Sequence, residues 1–254
     1  MVAETPRIRF FIATHKPWPL PKQPLFQPVA VGGYQADGAL SDAVGDNISS
    51  RDQRYSELTA WYWIWKNVKD VDMVGLCHYR RYFFLDPCQP GFHARSLHRE
   101  PTPANLERLL DRDSLPLVRY AYRRRHVIVP RAVVHPTSIR QQYLSYHRAG
   151  DWEAFHQAVL EISPEHGRHL DALEREQRMY LYNMMIAPWP FFADYMACLM
   201  PVLRRVDALI EYPDDAYQRR VPAFLAERFF TLHLMAVRPK LIETPVVTTD
   251  LAAF

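Results

Sequence analysis

The sequence predicts an α/β fold with a mostly parallel central sheet, flanking helices and a helical C-terminal part. Short apolar runs alternate along the chain with amphipathic stretches of helical periodicity, the pattern of strands joined by helical crossovers. Hydrophobic residues make up 48% of the 254 residues and charged residues 23%, which is enough to bury a large core. Since no internal repeat or linker divides the chain, we expect one domain over residues 1–254.

The N-terminal half is predicted to begin with a buried strand at residues 7–14. The proline-rich segment 16–28 should lack regular structure, because proline has no amide donor and a fixed φ. The further expected elements are a short strand at 29–35, a helix at 54–67, a strand at 72–78, a surface loop at 86–103 and a short helix at 105–113.

The C-terminal half is predicted to be mainly helical. Two apolar runs, 126–130 and 183–188, are typical of buried strands. Helical periodicity predicts helices at 138–150, 151–162, 169–181, 191–210 and 222–237, with the fourth interrupted by Pro201.

Composition excludes several function classes. No apolar run reaches the ~20 residues of a membrane span, and the N-terminus lacks the apolar stretch of a signal peptide. The three scattered cysteines indicate reduced thiols, so a cytoplasmic location is expected. The net charge of +3 suits an anionic ligand or peripheral contact with the inner membrane face, but does not predict a nucleic-acid partner. Residues 123–125 (RRR) could touch RNA, although such a run is more often a solvated surface.

Basic side chains stand at the ends of the two strands predicted at 7–14 and 72–78. Thr14, His15 and Lys16 end the first strand, and the second ends in the run His78, Tyr79, Arg80 and Arg81. In open α/β sheets, ligands bind beyond the carboxyl ends of the strands. Guanidinium and ammonium groups converging there predict a polyanion site, and a diphosphate fits best.

Two other segments could join this site. Asp46 and Asn47 precede a predicted helix N-terminus, where backbone amides favour anions, and Asn183 begins the 183–188 strand. Roles without ligand binding stay open for these residues: an Arg-Arg pair often belongs to a solvated surface, and an Asp-Asn pair often only forms a turn. The tryptophans of the 54–67 helix are more typical of core than of a sugar platform. No histidine spacing indicates a zinc site.

Six stretches in order resemble a bacterial family long catalogued as a domain of unknown function. The stretches are FFIATHK, GDNIS, ELTAWYWIWKN, VGLCHYRRYF, YNMMIA and FLAERFF, and the resemblance extends from Arg7 to about residue 247. The family occurs in capsular, exopolysaccharide and O-antigen biosynthesis and is regarded as glycosyltransferases of GT-A-like fold. The resemblance implies a nucleotide-binding half at about 7–125 and an acceptor-side half at 126–247.

The resemblance also implies roles for individual residues. A nucleotide-sugar donor, UDP-linked by expectation, would contact Thr14, His15, Lys16, Asp46, Asn47, Asn183 and the run from His78 to Arg81. That run would occupy the place of the Asp-x-Asp of many GT-A enzymes. Glu227 resembles the acid of the acceptor-side helix in inverting enzymes. His126 and the segment 86–103 depart from the family pattern, which leaves the glycan or lipid-linked acceptor open.

The expected chemistry is inverting sugar transfer with Glu227 as general base. Asp70-Val71-Asp72 precedes a strand and residues 111–113 (DRD) follow a helix, so neither supplies an Asp-x-Asp at a strand end. No cofactor is therefore predicted, with Arg80, Arg81 and Lys16 replacing the metal, although Mn²⁺ or Mg²⁺ stays open. His147, Asp151 and Arg228 are the further acceptor-side candidates; His147 and Asp151 at i, i+4 could equally be a local helix pair. A non-catalytic nucleotide-sugar or glycan-binding protein is the alternative.

Overall fold

The computed structural model describes residues 5–110 and 115–250, so the Asp111-Arg112-Asp113 segment lies outside the described residues. The strands in these ranges are β1 (Ile8–Thr14), β2 (Phe26–Ala30), β3 (Leu40–Ser41), β4 (Met73–His78), β5 (Arg81–Phe83), β6 (Ser96–His98), β7 (Val127–Pro130), β8 (Val133–Val134), β9 (Arg178–Met179), β10 (Met185–Pro188), β11 (Leu241–Thr244) and β12 (Val246–Thr248). The α-helices are α1 (Asp52–Tyr55), α2 (Leu58–Asn67), α3 (Pro103–Glu107), α4 (Leu115–Arg124), α5 (Ile139–Tyr146), α6 (Ala149–Ile162), α7 (Pro164–Gly167), α8 (Leu170–Arg175), α9 (Trp189–Leu209) and α10 (Val221–Val237).

The main sheet is mostly parallel, as predicted, and its order is β11-β7-β10-β4-β1-β2-β3. Strand β10 is antiparallel to both of its neighbours, β4 and β7. Ala13 of β1 lies opposite His78, and Met185 of β10 lies opposite Leu76. The ends of β1 and β4 and the residues that precede β10 therefore meet at one edge of the sheet, which is where the sequence placed a ligand site.

The central strands are buried on both faces, which explains why they appear in the sequence as continuous apolar runs. Helices α2, α6, α9 and α10 contribute to the larger core on one side, and α4 contributes to a smaller core that includes the other face of β1. Gly75 is required between these layers, because a Cβ there would lie 2.4 Å from Cδ1 of Phe10. No helix in the described ranges combines the length and the apolar character needed to cross a bilayer.

The helix predicted at 54–67 is broken, and the break matters for the site. Ser56 has φ 50°, a left-handed conformation, so α1 ends at Tyr55 and α2 begins at Leu58. Glu57 occupies the N-cap position of α2 without making a side-chain cap. The break therefore leaves the Glu57 carboxylate available for contacts outside its own helix.

Two prolines that were predicted to interrupt regular structure lie within a strand and a helix. Strand β2 includes Pro28, which lies beyond the two residues of β2 that pair with β3, so no ladder donor is needed on that side. Helix α9 continues through Pro201, which is exposed, so that water can satisfy the carbonyl group that the proline leaves free.

Three other boundaries differ from the sequence prediction. The predicted 86–103 loop contains β6, which pairs with β12 from the far end of the chain. The split between α5 and α6 falls at His147 and Arg148 rather than at Gly150. The predicted helix at 169–181 ends at Arg175, and β9 follows it. Long-range pairing, which local periodicity does not contain, explains β6 and β9.

Candidate active site

A cavity of about 540 Å³ opens at the sheet edge where β1 and β4 end; we call it the strand-end cavity. Its lining combines basic, aromatic and acidic side chains. The lining residues are Ala13, His15, Val31, Ser56, Glu57, His78, Tyr79, Arg80, Arg81, Tyr182, Tyr217, Arg220, Phe224 and Glu227. Five of the predicted donor-side residues therefore line this cavity: His15, His78, Tyr79, Arg80 and Arg81.

A second cavity of about 620 Å³ adjoins the first on the side of α5 and α10; we call it the helix-side cavity. His147 and Arg228, two of the predicted acceptor-side residues, line it. The two cavities share Glu57, Tyr217, Arg220, Phe224 and Glu227. Two carboxylates and one guanidinium group therefore lie at the boundary between two spaces, each large enough for a small ligand.

Arg80 and Arg81 differ in their partners. Nη1 of Arg80 lies 2.7 Å from Oδ2 of Asp250, and its guanidinium lies over the Tyr79 ring, 4.9 Å from the centroid. Arg81 lies 4.9 Å from the centroid of the Tyr182 ring and makes no ion pair with any described carboxylate. Arg81 is therefore the better placed of the two to neutralise an anionic ligand.

Residues at the end of β1 surround the same tyrosine. The Tyr79 ring contacts His15 edge-on at 5.1 Å between centroids, and Nζ of Lys16 lies 5.7 Å from the ring centroid. The Thr14 hydroxyl is buried and donates to the Lys16 carbonyl, so it stabilises the turn rather than lining the cavity. Burial, followed by the charges of Lys16 and Arg80, lowers the pKa of His15, so a neutral imidazole faces the cavity.

His78 is half-buried and makes a structural contact. Its Nε2 lies 2.6 Å from the Tyr182 carbonyl oxygen, which can only accept, so Nε2 carries the proton. Burial lowers the pKa of His78, and the imidazole is accordingly neutral. His78 thus joins the end of β4 to the segment before β10 and leaves charge neutralisation to the arginines.

Tyr182 and Asn183 form a left-handed pair, with φ 76° and 50°. The Tyr182 amide donates to Oε1 of Glu227 at 2.6 Å. Nδ2 of Asn183 donates to Oε1 of Glu57 at 2.8 Å and to the Ala223 carbonyl at 3.2 Å. Asn183 is 4% exposed and does not line either cavity; it instead holds in place a carboxylate that does.

Glu227 has contacts on both carboxylate oxygens and still reaches both cavities. Besides the Tyr182 amide, Nη1 of Arg228 lies 3.2 Å from Oε2. Burial raises the pKa of Glu227, and the attraction of Arg228 only partly opposes the rise. Glu227 is the seventh residue of α10, beyond the first turn where the helix dipole would favour its charge, and burial dominates its pKa. A carboxylate with a raised pKa is a better proton acceptor near neutral pH.

The predicted acceptor-side residues divide into two groups. His147 is stacked on Phe224 at 4.3 Å between ring centroids, its Nδ1 lies 3.0 Å from Oε1 of Gln218, and burial lowers its pKa. Arg228 is buried and contacts the Phe224 carbonyl. Asp151 is 3% exposed and lines neither cavity; its partner is Arg148 at 2.6 Å, whereas His147 precedes α6 and contacts Gln218, so the two do not form the helix pair that their spacing suggested.

Asp46 and Asn47 lie outside both cavity linings. Oδ1 of Asp46 accepts from the Tyr62 hydroxyl at 3.0 Å, and Oδ1 of Asn47 accepts from the Ser49 hydroxyl at 2.9 Å. These contacts are those of an ordered turn. A ligand that reached Asp46 or Asn47 would have to extend beyond the described cavities.

The two acids of the Asp70-Val71-Asp72 stretch pair with Arg7, each at 3.0 Å. They precede β4 and lie at the sheet edge opposite the strand-end cavity. Arg123 and Arg125 also lie at that opposite edge, beside Asp72. At the strand-end cavity itself, the carboxylates of the described lining are those of Glu57 and Glu227, each already hydrogen-bonded, and no Asp-x-Asp stretch is part of that lining. An Asp-x-Asp metal site therefore does not fit the residues present.

A family model described as "Domain of unknown function (DUF4422)" matches residues 9–238. The chain belongs to this family. The matched range includes Glu57 and Glu227, the two acids that both cavities share. It also includes the strands of the main sheet from β1, apart from Ile8, to β10; strands β11 and β12 follow the matched range. A comparison with curated proteins found no significant match.

The DUF4422 chain is also similar to a solved structure titled as the apo form of WbbM, a bifunctional glycosyltransferase. The TM-score is 0.85 at 22% sequence identity, over 96% of this chain and 45% of that one. At this identity the similarity shows the fold, and the predicted α/β class is confirmed. The DUF4422 chain spans less than half the length of that protein.

Two charged residues of the DUF4422 site were missed by sequence analysis. Glu57 stands at the start of the ELTAWYWIWKN stretch but was read as part of a continuous helix. Arg220 lies on a 3₁₀ turn before α10, where its Nε donates to the Ser56 hydroxyl at 2.8 Å. Glu57 could have been found, because it belongs to one of the six stretches that resemble the family. No sequence pattern pointed to Arg220.

Proposed function

We propose that the protein is a glycosyltransferase that moves a sugar from a nucleotide-sugar donor, UDP-linked, to a glycan or lipid-linked acceptor in bacterial surface polysaccharide synthesis. The observation that carries this proposal is the meeting of two cavities at Glu227 and Glu57, with guanidinium groups on one side. The glycosyltransferase title of the WbbM structure supports it at the level of fold. The reaction would take place in the cytoplasm, with the acceptor reached from the inner face of the membrane.

The strand-end cavity is the proposed donor site. When the sugar C1–O bond breaks, negative charge develops on the departing diphosphate and must be stabilised in the transition state. The Arg81 guanidinium can neutralise that negative charge directly. Arg80 can also contribute, although its positive charge is partly taken up by Asp250. Arg220, at the boundary of the cavities, adds a third guanidinium beside the sugar-bearing end.

The helix-side cavity is the proposed acceptor site. An acceptor hydroxyl entering from it would meet Glu227, which takes the hydroxyl proton as the new C1–O bond forms. Attack from this side, opposite the arginine-held leaving group, inverts the anomeric centre. Asn183 holds Glu57 next to this point, and the charge of Glu57 contributes to the raised pKa of Glu227.

Hydrolysis of UDP-sugars tests the function. A transferase leaks slow hydrolysis without acceptor, so we expect UDP release from at least one UDP-sugar above the level of the Glu227→Gln variant. Donor binding without any release, with or without glycan acceptors, would instead support the non-catalytic binding alternative. RNA binding with steep salt dependence and no response to UDP would contradict the proposal outright.

Turnover should depend on pH through Glu227. The base must be deprotonated, and burial raises its pKa above the ordinary 4.5, so activity should fall with decreasing pH at a higher pH than an ordinary glutamate dictates. The acid limb of kcat/KM against pH measures this. A limb centred at the ordinary value, in a protein shown by circular dichroism to stay folded, would count against Glu227.

Turnover should survive EDTA, because the residues at the strand-end cavity do not form an Asp-x-Asp site. We expect the rate after exhaustive chelation to stay within about twofold of the untreated rate. Loss of turnover that Mn²⁺ or Mg²⁺ restores would show that the arginine account of leaving-group stabilisation is wrong or incomplete.

A further inference from the structure

Three helices behind the proposed active site bring together a group of soft and borderline metal ligands. His166 at the end of α7, Cys198 on α9 and His233 on α10 each offer one ligand atom, and these atoms lie within 4.8 Å of one another. Both histidines are 2% exposed, and Cys198 is half-buried. The residues are 32 and 35 positions apart in sequence, so no local spacing could reveal them.

Hydrogen bonds fix the orientation of His166. The Ser163 hydroxyl donates to Oε1 of Glu165, so its oxygen is left to accept from Nδ1 of His166 at 2.7 Å. Nδ1 also lies 3.2 Å from Oε1 of Glu165. Nδ1 therefore carries the proton, and the lone pair on Nε2 faces the other ring. A carboxylate on the far nitrogen of a histidine is the arrangement that orients metal-ligating imidazoles.

His233 has one nitrogen in the cluster and one without a partner. Its Nδ1 lies 2.9 Å from Nε2 of His166, and its buried Nε2 makes no hydrogen bond. Two nitrogen ligands of a tetrahedral zinc ion stand roughly 3.3 Å apart, so the ion would replace this N···N contact once the two nitrogens move slightly apart and turn toward it. Because Nε2 of His166 carries no proton, Nδ1 of His233 donates to it, and binding an ion here would move the proton of His233 to its own Nε2.

We propose that His166, Cys198 and His233 form a structural site for a zinc-type divalent cation that ties α7, α9 and α10 together. Two imidazoles and one thiolate are the ligands that zinc prefers, and the half-exposed side of Cys198 leaves a fourth position for water. Zinc binds the thiolate and not the thiol, so binding one ion would displace one proton from the Cys198 sulfur to solvent. The site would brace α10 six residues beyond Glu227.

Cobalt substitution and thermal stability test this site on the full chain. Chelator-treated protein titrated with Co²⁺ should give a thiolate-to-cobalt charge-transfer band that saturates at one ion per chain. The band should vanish in Cys198→Ser and persist in Cys88→Ser, a matched control at an exposed cysteine. Added Zn²⁺ should raise the melting temperature of the wild type and of Cys88→Ser but not of Cys198→Ser.

Two results would overturn the proposal: no charge-transfer band in the wild-type chain, or a band and a Zn²⁺ stabilisation that are unchanged in Cys198→Ser. The wild-type titration decides the matter even if a variant folds poorly. Cys198 contacts neither cavity, so Cys198→Ser should keep its sugar-transfer activity. Repeating the EDTA assay on that variant separates chelation at this helix cluster from any effect at the donor site.

Discussion

Replacing Glu227 with glutamine should lower turnover about 10²–10⁴-fold while leaving donor affinity nearly intact. Glutamine keeps an oxygen that can accept from the Tyr182 amide, so the contact at 2.6 Å need not be lost. What the variant cannot do is take a proton from the acceptor hydroxyl. Initial rates of transfer, together with calorimetric titration of UDP, separate the two effects.

Glu174→Gln is the matched control for this experiment. Glu174 accepts from Nε1 of Trp152 at 2.9 Å, is partly buried and lines neither cavity, so its variant should transfer sugar at the wild-type rate. Transfer by Glu227→Gln within a few-fold of wild type would remove Glu227 as the base. Glu57 and then His147 would be the next candidates, because both line the helix-side cavity, whereas Asp151 does not.

Replacing Arg81 with alanine should weaken UDP binding about 10- to 150-fold. One charge-assisted phosphate contact is worth roughly 1.5–3 kcal/mol, and Arg81 makes no ion pair with a carboxylate among the described residues. Arg80→Ala should cost less, because Arg80 must share its charge with Asp250 at 2.7 Å. Calorimetry of both variants with UDP measures the difference.

Arg123→Ala serves as the control for loss of one positive charge, since Arg123 lies at the opposite edge of the sheet. It should bind UDP like the wild type at moderate salt, where charges more than a Debye length away are screened. Wild-type UDP affinity in both Arg80→Ala and Arg81→Ala would show that the diphosphate does not lie at the strand ends.

The sequence located the parts of the site that depend on one short segment, namely the residues that directly follow a buried strand. Buried parallel strands appear as apolar runs, and the residues that follow them must emerge at one edge of the sheet, so His15 and the run His78 to Arg81 were found together. The sequence could not distinguish roles within that run. His78 supports the Tyr182 segment and Arg80 binds Asp250, and both partners are more than 100 residues away.

Features that depend on a single backbone angle or on distant helices were missed. Periodicity over 54–67 predicts an unbroken helix, and only the left-handed Ser56 frees Glu57 to meet Asn183. Asp46 and Asn47 were ambiguous from the start, because the same residue types suit a turn and a ligand site. Their contacts within the described residues are those of the turn.

The left-handed pair Tyr182–Asn183 restricts which sequences this site can tolerate. Position 183 needs a residue that adopts φ 50° with little penalty and also offers two N–H donors, to Glu57 and to the Ala223 carbonyl. Glycine satisfies the first requirement and loses both donors, aspartate would add a third carboxylate beside two others, and glutamine or lysine would pay the steric cost of the conformation. Asparagine meets both requirements, so almost no other residue type is expected to replace it without loss of function. A drift in acceptor preference would more readily begin at the walls of the helix-side cavity, where His147 and Tyr217 carry no such double demand.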